Sequence, residues 1–137
     1  MIVVDASVLT AVLVDADAPE TDHAVRLLQD DPHWVVPEHA MIEVISAIRG
    51  LALGGAIAQA DVPEIVQQLV DLAVEVWPTA PLASRVIELM HNATAYDAAY
   101  LALAEELSTT LVTLDRRLAT VPGIRCSVRI PGATSGR

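Results

Sequence analysis

Four acids in this chain stand where a carboxylate either does chemistry or needs a structural reason to be there. Asp5 ends the apolar run Ile2-Val3-Val4, and Asp115 ends Leu111-Val112-Thr113-Leu114. Open parallel sheets hold their ligand sites outside the carboxyl ends of the strands, so both positions carry functional weight. Each acid could equally cap the helix that follows, satisfying orphan N–H groups without a catalytic role. Glu43 lies in Ala40-Met41-Ile42-Glu43-Val44-Ile45-Ser46-Ala47-Ile48, among mainly apolar neighbours. An ionised side chain there must meet a cation, an arginine or cleft water, unless it sits on a solvent-facing stripe. Arg49, six residues on, is poorly placed on a helix to reach it, which leaves a metal ion as a good partner. Asp97 belongs to Thr94-Ala95-Tyr96-Asp97, a capping-box pattern. The helix dipole favours its anion, which serves a cap and a metal ligand alike.

Convergence is what would make these acids a site. Four like charges brought together repel one another and raise pKa values, an arrangement that makes sense chiefly around a divalent cation. Donors that are all oxygen, without a paired cysteine or a His-rich motif, indicate magnesium or manganese rather than zinc. Ser7 and Thr113 can add hydroxyl contacts. His39 is four residues from Glu43 on one helix face, but it reads as a surface or packing residue rather than a ligand. His91 and Asn92 are placed to border the cleft or simply to form a turn. Tyr96, Tyr100, Trp34 and Trp77 read as core residues, and Cys126 as a small buried hydrophobe.

The elements that must position these residues alternate between short apolar bursts and longer helical patterns, the signature of a parallel sheet with crossover helices. Strands are expected at Ile2 to Val4, Trp34 to Val36, Val74 to Trp77 and Thr110 to Leu114, with a weak one at Cys126 to Val128. Helices are expected from a Ser7 cap to about Val14, from Glu20 to Gln29, and from Glu38 to Leu53, where Gly54 and Gly55 stop the run. Asp61 to Leu72, Pro81 to His91 and Thr94 to Leu107 complete the set, with a last turn near Asp115. No repeat or interdomain linker interrupts the pattern, which predicts one domain over residues 1–130 and a flexible tail from Pro131 to Arg137.

At 137 residues the chain can bury a core without disulfides, and its single cysteine permits no intramolecular bridge. The N-terminal run lacks a basic leader and carries Asp5, so it reads as a strand and helix rather than a signal peptide. Glu43 and Arg49 interrupt the longest apolar candidate, which falls short of the roughly 18 residues a membrane span needs. A cytoplasmic protein off the membrane is expected. Hydrophobic residues make up 53% of the chain, with a mean hydropathy of +0.47, high for a small domain, so some apolar surface is expected to meet a partner. A net charge of -10 ordinarily opposes nucleic-acid binding. All eight basic residues are arginines, however, and Arg116, Arg117, Arg125, Arg129 and Arg137 fall beside or after Asp115. A local basic rim and a plain solvated surface are both compatible with that clustering.

The segments MIVVDASVL, Pro37 through Val44, TAYDAAYLALA and TLVTLDRRL together resemble the PIN-domain family, and more closely its VapC toxin branch, from Met1 to about Val128. The resemblance implies a PIN-like three-layer α/β/α fold with a central parallel sheet of about four to five strands. It places the family's acids on Asp5, Glu43, Asp97 and Asp115. It implies an endoribonuclease that uses Mg²⁺ or Mn²⁺ to activate water against an RNA phosphodiester, with Asp5 and Asp97 as direct ligands and Glu43 and Asp115 binding or orienting metal waters. A homodimer, inhibition by a small VapB-like antitoxin, and phosphate contacts from Arg116 and Arg117 complete the expectation.

Two other readings compete with it. A phosphoacceptor domain also sets an Asp at a strand end, but such domains use a lysine near the phosphate, and this chain has none. A phosphatase of the haloacid-dehalogenase type wants an acid where Ser7 stands. A non-catalytic PIN-like binding module remains as the alternative, with retention of all four acids against it.

Overall fold

Valine and isoleucine, stiff at χ1 and suited to a pleated surface, supply most of the strand residues. In the computed structural model, which describes residues 1–14 and 18–133, they form β1 (Ile2–Val4), β2 (Trp34–Pro37), β3 (Val74–Trp77), β4 (Leu111–Val112) and β5 (Val128–Arg129). The sheet is parallel throughout, in the order β3-β2-β1-β4-β5. The first strand is therefore the central one. Its carboxyl end, and that of β4 beside it, carry Asp5 and Asp115 to one edge of the sheet.

Six helices connect the strands: α1 (Ala6–Val14), α2 (Pro19–Asp30), α3 (Ala40–Leu53), α4 (Val62–Val70), α5 (Ala83–Leu89) and α6 (Ala95–Glu106). The first four pack among themselves. The last two pair with each other, and α6 lies against β1, β2 and β4, giving the expected three layers. Residues Ala98 to Ala104 of α6 are all buried, which explains a helix apolar on every side. Its alanines let the backbone approach the sheet, and Tyr100, Leu101 and Leu103 fill the space between. Among the described residues no helix is long and apolar enough to cross a membrane.

Several boundaries differ from those expected. The third helix starts at Ala40, because Glu38 is drawn away to accept a hydrogen bond from the Thr79 backbone at 2.7 Å. The expected helix from Pro81 to His91 divides into a 3-10 turn at Ala80–Leu82 and α5. Ser7 is not a cap: it is the second residue of α1, and its hydroxyl serves Asp5 instead. Tyr96 is 62% exposed and lies outside the core, whereas Tyr100 is fully enclosed. Trp34, Trp77 and Cys126 are partly buried against the core. Pro131 is buried and Ala133 donates to the Ile130 carbonyl, so packed chain extends past residue 130; the rest of the expected tail, residues 134–137, lies outside the described residues.

Candidate functional site

Asp5 leaves the end of β1 only 6% exposed. The Ser7 hydroxyl donates to its Oδ2 at 2.5 Å and the Thr113 hydroxyl to the same oxygen at 2.8 Å. Those two hydroxyls are themselves placed by backbone: Leu114 N–H donates to Ser7 Oγ at 3.1 Å, and Asp115 N–H donates to Thr113 Oγ1 at 3.0 Å. One network thus ties the turn after β1 to the turn after β4. Burial raises the Asp5 pKa most, the two hydroxyls oppose it, and the charge of Glu43 raises it further.

Glu43 faces inward from the first turn of α3. The Tyr100 hydroxyl donates to its Oε1 at 2.9 Å while accepting the Ala6 N–H at 3.2 Å. A single phenol therefore touches α3, the start of α1 and its own α6. His39 lies edge-on between the rings of Tyr96 and Tyr100, with centroids 5.6 and 5.2 Å away. Its Nε2 is 3.0 Å from Glu43 Oε1, yet the ring lacks the alignment of a hydrogen bond, so this is a packed histidine in contact with the acid.

Thr94 caps α6, its hydroxyl accepting from the Asp97 N–H at 3.1 Å, which sets Asp97 in the first turn facing the same region. Its pKa is raised, first by burial and then by the charge of Asp5, with Asp115 and Glu43 adding to it and Thr94 opposing. That mutual repulsion is the electrostatic sign that the four acids share one neighbourhood. Asp115 behaves differently. It caps the 3-10 turn Arg116–Thr120, and Arg117 closes on both its oxygens, at 3.0 and 2.6 Å. The guanidinium holds its pKa down. Arg117, expected as a phosphate contact, makes this pair while its side chain stays 84% exposed, and Arg116 lines a separate depression.

Neither Asp5 nor Asp97 pairs with a basic side chain among the described residues. No three metal-binding side chains there stand close enough to enclose an ion. Asp5, Glu43 and Asp97 offer hard oxygen donors that repel one another, and the charge of Arg117 reaches Asp97 without forming a salt bridge to it. Beside Asp97 and Arg117 opens a cleft of about 360 Å³, bordered by Asn92, Thr94 and Val121. His91 does not line it. Reasoning from sequence missed Tyr100, since a tyrosine in an apolar helix reads as packing; its place three residues after Asp97, one helical turn on, was the available signal.

The PIN domain family model matches residues 2–124. Ribonuclease VapC9 of Mycobacterium tuberculosis is 39% identical over 131 residues, which cover 95% of this chain and 98% of that protein. Among solved structures, Mycobacterium tuberculosis VapC20, described as a sarcin-ricin loop cleaving toxin, is similar with a TM-score of 0.67 at 18% identity, covering 91% of this chain and 97% of that one. VapBC2 from Rickettsia felis, solved bound to a DNA fragment from its promoter, is similar with a TM-score of 0.64 at 12% identity, covering 93% of this chain and 98% of that one. These last two likenesses concern the fold.

Proposed function

Since this chain belongs to the PIN domain family and to its VapC branch, we propose that it is the toxin of a toxin–antitoxin pair, a divalent-metal-dependent endoribonuclease acting on RNA phosphodiester bonds. The observation that supports this reading is the repulsion that Asp97 feels from Asp5, Asp115 and Glu43, with neither Asp5 nor Asp97 in a salt bridge among the described residues. The donor set fits Mg²⁺ or Mn²⁺: Asp5 and Asp97 would hold it, with Glu43 and Asp115 completing or orienting the surrounding oxygens. When bound, the ion would supply the charge that makes water a nucleophile at neutral pH and offsets charge developing on the phosphate.

The chain's own residues do the rest. Ser7 and Thr113 both donate to one oxygen of Asp5 and so fix the orientation of its carboxylate. Tyr100 holds Glu43 by a hydrogen bond and, with its pKa pushed up by burial and by the charges of Asp5 and Glu43, stays a donor across the physiological range. Arg117 keeps Asp115 ionised and contributes a positive edge to the cleft beside Asp97. The substrate is a single-stranded or looped RNA, whose flexible backbone enters such a cleft more readily than a duplex does.

The proposed setting is a cytoplasmic homodimer restrained by a VapB-like antitoxin. Exposed apolar side chains support a partner of that kind: Ile42 and Leu53 are 64% and 63% exposed on α3, and Ile87 and Met90 are 57% and 47% exposed at the end of α5. An amphipathic antitoxin helix covers such surface, and an arginine from it could take the charge-compensating place in the cradle.

The deciding experiment is cleavage of total RNA by the purified protein in Mg²⁺, in Mn²⁺ and in EDTA, with Asp97→Asn alongside. Discrete fragments that need metal, with a loss of about 100-fold or more in the variant, are the expected outcome. Intact RNA in every buffer despite demonstrable Mg²⁺ binding would turn the reading toward a non-catalytic binding module.

A further inference from the structure

A cleaved strand must continue on both sides of the broken bond, and the cleft beside Asp97 accounts for one side only. Consecutive residues after Asp115 diverge. Arg117 borders that cleft, while Arg116 and Leu114 line a second depression, together with Glu20, Ile130 and Pro131. Leu114 is bonded to Ser7, and Ser7 to Asp5, so this depression begins at the acid network itself.

Ile130 and Pro131 also border a groove of about 720 Å³ between α2 and the outer strand β5. One face of α2 lines it with His23, Arg26, Leu27 and Asp30, at helical spacing, and Arg129 faces them from β5. Arg129 lies one strand from the acids: its carbonyl accepts from Thr113 N–H at 3.1 Å. The chain carries a net charge of -10, yet three of its eight arginines, Arg26, Arg116 and Arg129, line this one path against two acids, Asp30 and Glu20. None of the three pairs with an acid among the described residues, in contrast to Arg85 and Arg117.

We propose that the α2–β5 groove binds the backbone of the single-stranded RNA substrate, leading one flank of the strand from the acids past Arg116 and over Arg129 and Arg26. The proposal rests on the ribonuclease reading. No tyrosine, tryptophan or phenylalanine among the described residues lines the path, so it offers no platform for stacking bases. Recognition there is of phosphates, salt-dependent and indifferent to sequence, and target choice belongs to the acid site and the cleft beyond it.

The test is binding of a short labelled single-stranded RNA of mixed sequence, in EDTA to prevent cleavage, across a series of salt concentrations. The double variant Arg26→Gln/Arg129→Gln should bind about tenfold more weakly at moderate salt. Its salt slope should be shallower by about 1.4, since each single-strand phosphate that an arginine neutralises adds about 0.7. Arg49→Gln, on α3 away from the groove, should match wild type. Asp30→Asn removes the groove's own acid and should tighten binding, an effect that misfolding cannot mimic. Wild-type binding with an unchanged double variant overturns the groove and leaves the nuclease reading standing. No RNA binding by wild type overturns both.

Discussion

Tyr100 is the residue on which the most elements meet. Its ring is fully enclosed, and its hydroxyl spans the start of α1 and Glu43. Tyr100→Phe keeps the ring and removes only those two bonds, so it should cost about 1–2 kcal/mol of stability. It should also slow cleavage by about 10- to 100-fold with a raised Mg²⁺ requirement, because an acid of the site loses its orientation. A Mg²⁺ titration of the cleavage rate checks this, with exposed Tyr96→Phe expected to behave as wild type. Much at this scale was readable in advance: each motif acid abuts an apolar run, and Ser7 and Thr113 sit two residues from Asp5 and Asp115. What was hidden depends on geometry that spacing does not encode. The bidentate closure of Arg117 on Asp115 needs the 3-10 turn that follows the acid, and the phenol contact needs two helices packed at one angle.

Between elements, the chain from the Arg116–Thr120 turn to β5 is held by a clasp rather than by strand length. Arg85 of α5 donates from Nε to Glu105 Oε2 at 2.7 Å and from Nη2 to the Gly123 carbonyl at 2.7 Å, while Arg125 N–H donates to Glu105 Oε1 at 2.7 Å. Glu105 is only 9% exposed, and burial alone would raise its pKa; the bonds from Arg85 and Arg125 outweigh that and lower it. Arg85→Ala leaves this carboxylate with one donor and frees the Gly123 turn, an expected loss of about 1–3 kcal/mol, read as a lower denaturant midpoint. The order and type of the elements followed from their periodicity, but their ends did not. β4 shrinks to Leu111–Val112, the two residues that pair with both β1 and β5, and those partners lie too far along the chain for local pattern to reveal.

For the whole molecule, the acid cradle sets stability against function. Asp5 and Asp97 have raised pKa values in the folded chain, so their contribution is present below the ordinary carboxylate range, near about 4, and is lost as pH rises through the raised values. Asp115 and Glu105, held low by arginines, act in the opposite sense and lose their contribution as pH falls. Metal-free protein above those raised values therefore carries the repulsion between Asp5 and Asp97. Added Mg²⁺ should raise the melting temperature markedly at neutral pH and little near pH ~4, and Asp97→Asn should melt higher than wild type in EDTA while responding weakly to Mg²⁺. Calorimetry over both pH values with and without the ion decides it.

The position of β1 in the middle of the sheet has a consequence for synthesis. Asp5 leaves the ribosome 108 positions ahead of Thr113, which donates to it, and β1 pairs with β4 from the same later stretch. A nascent chain therefore exposes its first acid long before the rest of the cradle exists. If the chain is the nuclease proposed above, it cannot cut the message it is being read from until nearly all of the fold has emerged, which leaves the period of translation for a waiting antitoxin to bind.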